Sequence, residues 1–224
     1  MDNTKSKLLF CLIKYGKINE IRLKSAGDLT ELRNFHNWIK RKLITNSVKK
    51  LNAVSLLDLA VGRGGDLDKW ATCGLKFVTG IDSDPIAIHG NNKTSGAINR
   101  YHNYNRKKPK AFFWKISVLD PDVYTKLNEK DNNKIYDIVS CQFAFHYFIS
   151  NIDHVLSLIS QKLKKGGLFI GTVSDGDLIK KNLDNEDIFI ENENGENVLS
   201  VVNKNETEYI YHLSDKKQGS DSYF

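Results

Sequence analysis

The sequence predicts an α/β fold, a mostly parallel sheet with helices on both faces, and three observations carry that expectation. Short apolar runs alternate with segments of helical spacing from residue 31 to about residue 173. The first apolar run ends in a glycine-rich turn that leads directly into a helix-like segment. The order is strand–helix throughout this stretch, not a block of strands followed by a block of helices, which is the pattern of a parallel sheet. In such sheets a ligand lies beyond the carboxyl ends of the strands, where the strand order reverses. A chain of 224 residues, 40% hydrophobic and 27% charged, can bury one core of this kind. No internal repeat or heptad is present.

Residues 1–30 read as an N-terminal extension with a hairpin-like pattern, an apolar run at 8–13, Tyr15-Gly16, then alternation over 18–23. Residues 31–224 read as one domain. Leu32, Phe35, Ile39 and Leu43 share one face of a helix predicted over 31–44. Residues 54–59 form the first predicted strand and 67–73 a helix, followed by a strand over 77–81. Asp84-Pro85 opens the next helix, since proline suits a first helical turn. Strands are predicted over 111–118 and 135–142. An amphipathic helix over 155–163 is expected to stop at Gly166-Gly167, before a fifth strand over 168–173. The polar, acidic stretch 182–205 reads as a loop or insertion, and 209–213 alternates like a strand.

Charge is uneven along the chain. The net charge is +6, with twelve Lys or Arg against four Asp or Glu in residues 1–50, and six acidic residues against one basic in 181–197. A basic front half suits a polyanionic partner such as RNA, although lysines also serve simply to solvate a surface. Arg100 to Lys115 holds six basic residues among Tyr101, Tyr104, Phe112, Phe113 and Trp114. That mixture suits RNA contact, but the aromatics at 112–114 fall in a predicted strand and are expected in the core. Cys11, Cys73 and Cys141 form no CxxC pair and have no histidine at metal spacing, so they read as reduced thiols of an intracellular protein, nuclear or cytoplasmic. The apolar run at 8–13 is too short for a membrane span or a signal-peptide core.

The chemistry is concentrated at two strand ends. Asp58 is followed by Gly62-Arg63-Gly64-Gly65-Asp66, a turn whose glycines let a ligand approach the backbone and the start of a helix. Asp82 closes the second strand about twenty residues on, the place from which an acid holds ribose hydroxyls in dinucleotide folds. The spacing is neither GxGxxG nor a phosphate loop. The pair points to a nucleoside-containing cofactor, nicotinamide or S-adenosylmethionine. Alternatively, the two aspartates only cap turns, Gln142 only satisfies backbone groups, and His146 and Tyr147 are strand-end packing residues.

Four ordered elements carry a resemblance that sharpens this. Phe35-His36-Asn37-Trp38-Ile39-Lys40, the Asp58–Asp66 turn with Leu67, Gly80-Ile81-Asp82, and Gln142-Phe143-Ala144-Phe145-His146-Tyr147 are similar to motifs of the mRNA cap guanine-N7 methyltransferases. Arg100-Tyr101 and Gly166-Gly167 also fall in family order, so the resemblance spans about residues 30–224. It implies the Rossmann-like fold of the S-adenosylmethionine-dependent methyltransferases. It also implies two adjoining pockets: Lys40, Asp58, Gly62, Asp82, Ser117 and Gln142 for S-adenosylmethionine, and Arg63, Arg100, His146 and Tyr147 for the cap guanine and its phosphates. A phosphate chain favours arginine for its planar fork, and an aromatic ring gives guanine a stacking face.

The implied reaction is methyl transfer to N7 of the guanine cap of RNA. N7 has a lone pair and no proton to lose, so no general base, nucleophile or metal is assigned, and positioning is expected to do the work. The sequence departs from the family at Ala60, His36 and Ser117, where the family has glycine, asparagine and an acid; Asp120 is a nearby substitute for the last. Asp221-Ser222-Tyr223-Phe224 stands where the family has Pro-Glu-Tyr, so a guanine-reading glutamate and a closing helix with two strands are expected to be missing. That would leave a sheet edge for another subunit or other capping-enzyme domains to cover. Two further readings follow. One is a non-catalytic RNA- or partner-binding subunit or degenerate paralogue. The other is a methyltransferase acting at another RNA position, such as a ribose 2′-oxygen, which would need a group to take a proton. A divergent chain of this size also fits a virus, with a virion or viral factory as its setting.

Overall fold

The computed structural model describes residues 30–183, 188–191, 197–204 and 209–213. They divide into two compact units, one of residues 37–173 and one that includes 30–36 and the described residues after 173. The expected hairpin over 8–23 and residues 221–224 lie outside the described residues.

Five parallel strands form the larger unit: β1 (Ser55–Asp58), β2 (Phe77–Asp82), β3 (Lys110–Lys115), β4 (Tyr136–Gln142) and β5 (Leu163–Thr172). Their order is β3-β2-β1-β4-β5, so the direction of chain progress reverses between β1 and β4. All four residues of β1 are buried, as the central strand of a sheet covered on both faces requires.

Two cores fill the two faces. On one, Leu56, Val78, Phe113, Ile138 and Ile170 meet Ile44 and Val48 of α1 (Thr30–Leu51), Leu67 and Trp70 of α2 (Leu67–Cys73), Ile88 of α3 (Pro85–His89) and Ala97 of α4 (Ala97–His102). On the other, Leu57, Ile81, Val139 and Cys141 meet Val123 and Leu127 of α5 (Val123–Asp131), and Val155, Leu158 and Ile159 of α6 (Ile152–Lys162). Adjacent strand residues such as Leu56 and Leu57 feed opposite cores because strand side chains alternate in direction.

Local signals set most boundaries. α1 continues past the expected residue 44 to Leu51, where Asn52 takes a left-handed φ of 50°. The Asp84 carboxylate accepts the Ile86 N–H at 2.7 Å and Pro85 follows it, which starts α3 as expected. Two expectations are corrected. α6 ends at Lys162, not at Gly166-Gly167; the two glycines instead lie within β5, where residues 164–167 oppose Asp137 alone and distort the ladder. A Cβ on Gly167 would come within 2.9 Å of the Asp137 carbonyl oxygen. The stretch 182–205 is not simply a loop. It contains β6 (Ile188–Glu191) and β7 (Asn197–Asn203), which form an antiparallel sheet with β8 (Tyr209–Leu213) in the second unit. Ile188-Phe189-Ile190 and Val198 to Val202 supply the β-branched and aromatic residues that outweigh the flanking acids. α7 (Gly176–Leu183) precedes them.

Candidate functional site

In a parallel sheet a ligand lies beyond the carboxyl ends of the strands where their order reverses, and the described chemistry gathers at those ends, beside the reversal between β1 and β4. Asp58 ends β1, Asp82 ends β2 and Gln142 ends β4. The turn after β1 is pinned to both neighbours, with Leu59 N–H donating to the Ser140 carbonyl at 2.9 Å and Val61 N–H to the Ile81 carbonyl at 3.0 Å. Gly62 has φ 51° and donates its N–H to Asp82 Oδ2 at 2.7 Å. Gly80, beneath the turn, has no room for a side chain: a Cβ would lie 2.7 Å from Val61 Cγ2.

Three carboxylates and two lysines line this turn, in different electrostatic states. Asp66, at the start of α2, pairs through Oδ1 with Lys40 of α1 at 2.7 Å and with Lys69 of α2 at 2.9 Å. Burial alone would raise the Asp66 carboxyl, but the two ammonium groups hold it below the usual carboxylate range. Lys69 is buried and also donates to Asn37 Oδ1 at 2.8 Å and the Gly65 carbonyl at 3.2 Å. Burial lowers its pKa, and Asp66 opposes that shift. Among the described residues Asp58 has no ion-pair partner. Its hydrogen-bond donor is the Ala60 N–H at 3.3 Å, and burial followed by repulsion from Asp66 pushes its carboxyl up to about 8. Asp82 accepts the Gly62 and Asp84 N–H groups, and burial raises its carboxyl as well.

These residues fit the amino-acid and ribose parts of S-adenosylmethionine. Asp58 is a buried, sparsely bonded carboxylate that a ligand ammonium would complete. Lys40 has further N–H donors for a ligand carboxylate. Asp82 retains acceptor capacity for ribose hydroxyls, and Cβ atoms built at Gly62 or Gly65 meet no protein atom within 4 Å, leaving space along the turn. Gln142 is buried, donating from Nε2 to Ser140 Oγ at 3.0 Å and accepting at Oε1 from Thr172 Oγ1 at 3.1 Å. It is therefore tied to side chains, not to backbone groups. Ser117 lies two residues beyond β3, which ends earlier than expected, and its hydroxyl accepts the Leu119 N–H at 3.2 Å. Asp120 is engaged in an ion pair with Lys126.

The residues expected for substrate fall into two groups. Arg63 Nε donates to the Ser95 carbonyl at 2.9 Å, and Arg100 Nη1 donates to the Arg63 carbonyl at 3.0 Å. The two guanidiniums are thus neighbours, and among the described residues neither forms an ion pair. His146 and Tyr147 lie past β4 on a 3-10 helix (Phe145–Asn151), not in a strand. Their rings stand 4.1 Å apart, and Tyr147 is 70% exposed. Phe143, between Gln142 and this helix, takes φ 56°, a costly conformation for an aromatic residue. Sequence reasoning missed the Asp66–Lys69 pair; its signal was an acid and a base three apart at the start of a helix.

The Asp58 environment makes a testable difference to stability. Between about pH 4 and pH 8 the folded chain holds a proton on Asp58 that the unfolded chain has released, so this group lowers stability as pH rises through that window. Asp58→Asn should remove the decline. Urea unfolding at pH 5 to 8 should give the wild type a steeper loss than the variant, by at most about 1.4 kcal/mol per pH unit. Parallel pH profiles would contradict the assignment.

The mRNA (guanine-N(7))-methyltransferase domain model matches residues 13–216. The mRNA cap guanine-N(7) methyltransferase of Caenorhabditis briggsae is 36% identical over 177 residues, covering 72% of this chain and 44% of that protein. A probable mRNA-capping enzyme of Acanthamoeba polyphaga mimivirus is 30% identical over 219 residues, covering 86% of this chain and 18% of that protein. The chain thus spans less than half the length of these curated relatives. Among solved structures, the plantazolicin methyltransferase BamL covers 81% of this chain and 61% of its own at 17% identity and a TM-score of 0.49. With residues 13–216 matched, the chain belongs to the mRNA (guanine-N(7))-methyltransferase domain family.

Proposed function

We propose that this chain binds S-adenosylmethionine across the carboxyl ends of β1, β2 and β4 and directs its methyl group to N7 of the guanine cap of RNA. The observation that supports this best is the family match over residues 13–216, met by a crevice whose side chains suit both ligands. When bound, the cofactor supplies a sulfonium methyl, already a good electrophile. The chain then has to hold and orient. Lys40 takes the cofactor carboxylate, Asp58 its ammonium and Asp82 its ribose, while Ser117 lies on the adenine side and Gln142 closes the β4 wall.

Arg63 and Arg100 present two adjacent forks to the cap phosphates, which is how arginine recognises an anion most specifically. His146 and Tyr147 offer exposed rings to the guanine. Because N7 carries a free lone pair, catalysis rests on alignment, a proximity effect, and none of these residues transfers a proton. No helix among the described residues is long and apolar enough to cross a membrane. The reading places the chain where transcripts are capped, in the nucleus or cytoplasm, including a viral factory.

The test is to incubate the chain with methyl-labelled S-adenosylmethionine and capped RNA, then digest and identify the labelled nucleotide. Label in 7-methylguanosine is expected; label on a ribose 2′-oxygen would overturn the site of transfer, and no label with bound cofactor would favour a non-catalytic subunit.

The two pockets should also separate by mutation. Asp82→Ala should weaken S-adenosylhomocysteine binding by about 1.5–3 kcal/mol in calorimetry. Arg63→Ala and Arg100→Ala should raise KM for capped RNA and flatten its salt dependence while leaving that affinity in place. Equal loss of both ligands in the arginine variants would contradict the assignment.

A further inference from the structure

β3 is an edge strand of the parallel sheet, and its outward face forms a strip on which Lys110 and Phe112 are exposed while Trp114 beside them is partly buried against the second core. Lys110, Phe112 and Trp114 alternate on one face, with Phe113 turned the other way into the core. The Phe112 and Trp114 rings are 5.8 Å apart and within 10° of parallel, and Lys110 Nζ stands 5.2 Å from the Phe112 ring centre. Phe77, in register with Lys110 on β2, continues the strip, with Lys134 Nζ 4.2 Å from its ring. Phe112 is 44% exposed and Phe77 39%. Edge strands are commonly protected by lysines, which accounts for Lys110 but not for aromatic rings left in water beside it. No acidic residue occurs between Arg100 and Lys115. Lys107, Lys110 and Lys115 are exposed, and so is Arg106.

We infer that this strip is a binding surface for single-stranded RNA, with bases against Phe112 and Phe77, Trp114 backing the Phe112 ring from the core side, and phosphates against Lys110 and Lys134. Aromatic faces interleaved with cations are what a sequence-tolerant single-strand site requires, since every base has a π-face and every link a negative charge. A protein partner would be served by the aromatics but would have no use for the six basic residues that run without an acid from Arg100 to Lys115. The inference extends the proposed function, because a transcript continuing beyond the cap would then have a second hold on the chain. It does not depend on that function, since uncapped RNA should bind.

The experiment is fluorescence anisotropy with an uncapped, unstructured oligouridylate about 15 nucleotides long, on the full chain. Phe112→Ala should weaken binding roughly five- to a hundredfold and Phe112→Trp should restore it. Lys110→Gln should lower the slope of log affinity against log salt by about 0.7, one single-strand phosphate contact. S-adenosylhomocysteine affinity should be unchanged in all three variants, which separates a failed surface from a failed fold and from a failed methyltransferase reading. Oligouridylate affinity within twofold of wild type for Phe112→Ala would overturn the proposal. So would loss of self-association in that variant, by sedimentation, with RNA affinity intact, since the strip would then be a protein interface.

Discussion

One buried carboxylate, Asp66, organises the end of the sheet on which this reading rests. Its Oδ1 forms ion pairs with both Lys40 and Lys69, and so joins α1, the glycine turn and the start of α2 at one point. A carboxylate this deep is tolerated only with charge and hydrogen-bond partners, and removing one partner of such a group is far more costly than the pair is stabilising. Asp66 has both ammonium groups as ion-pair partners whereas burial dominates at Asp58, so two carboxyls in the same turn are shifted in opposite directions. A ligand that brings both an ammonium and a carboxylate suits this corner, the former beside Asp58, whose ionised form it would favour, and the latter beside Lys40.

Polar groups are buried at both ends of the sheet, but to different effect. At the amino end, Asp137 accepts the Val54 and Ser55 N–H groups at 2.9 Å and the Lys164 ammonium at 2.6 Å. Against the effect of burial, these donors hold its carboxyl at about 2. Lys162, buried on α6, meets Asp131 and Asn128 at 2.8 Å, and the Tyr136 hydroxyl links Asp131 to Thr79. The first network ties the starts of β1, β4 and β5 together, and the second ties α5 and α6 to the sheet. At the carboxyl end the partners are fewer. Among the described residues Asp58 has one weak donor, and Arg63 and Arg100 have carbonyl acceptors only. Unspent bonding capacity at one end of a rigid scaffold is what a binding site needs.

Much of this was legible in the residues. The alternation of strand and helix gave the sheet because β1, β2 and β4 are short apolar runs closed by Asp or Gln, and Asp84-Pro85 began its helix as turn chemistry demands. The ends of α6 and β5 were not legible. Gly166-Gly167 is an equally good helix stop or strand bulge, and only the ladder to Asp137 decides between them. β6 and β7 were hidden because acidic and asparagine residues dominate 182–205, while the Ile-Phe-Ile that forms a strand is three residues long. In the site, Asp58 and Asp82 could be placed from strand ends. The Asp66 corner could not, because Lys40 lies 26 positions from its partner and no spacing rule joins them. Phe112 and Phe113 illustrate the same limit, since a strand prediction places aromatics near a core without saying which faces it.

The central claim is that the corner built on Asp66 is the amino-acid end of a cofactor pocket. Calorimetric titration of the wild type and Lys40→Met with two ligands tests it directly, S-adenosylhomocysteine and 5′-methylthioadenosine, which shares the nucleoside but lacks the amino-acid end. The account predicts that Lys40→Met loses at least about tenfold in affinity for S-adenosylhomocysteine, the loss of one charged hydrogen bond, with 5′-methylthioadenosine within about twofold of wild type. Equal losses for both ligands, or no loss for either, would contradict it.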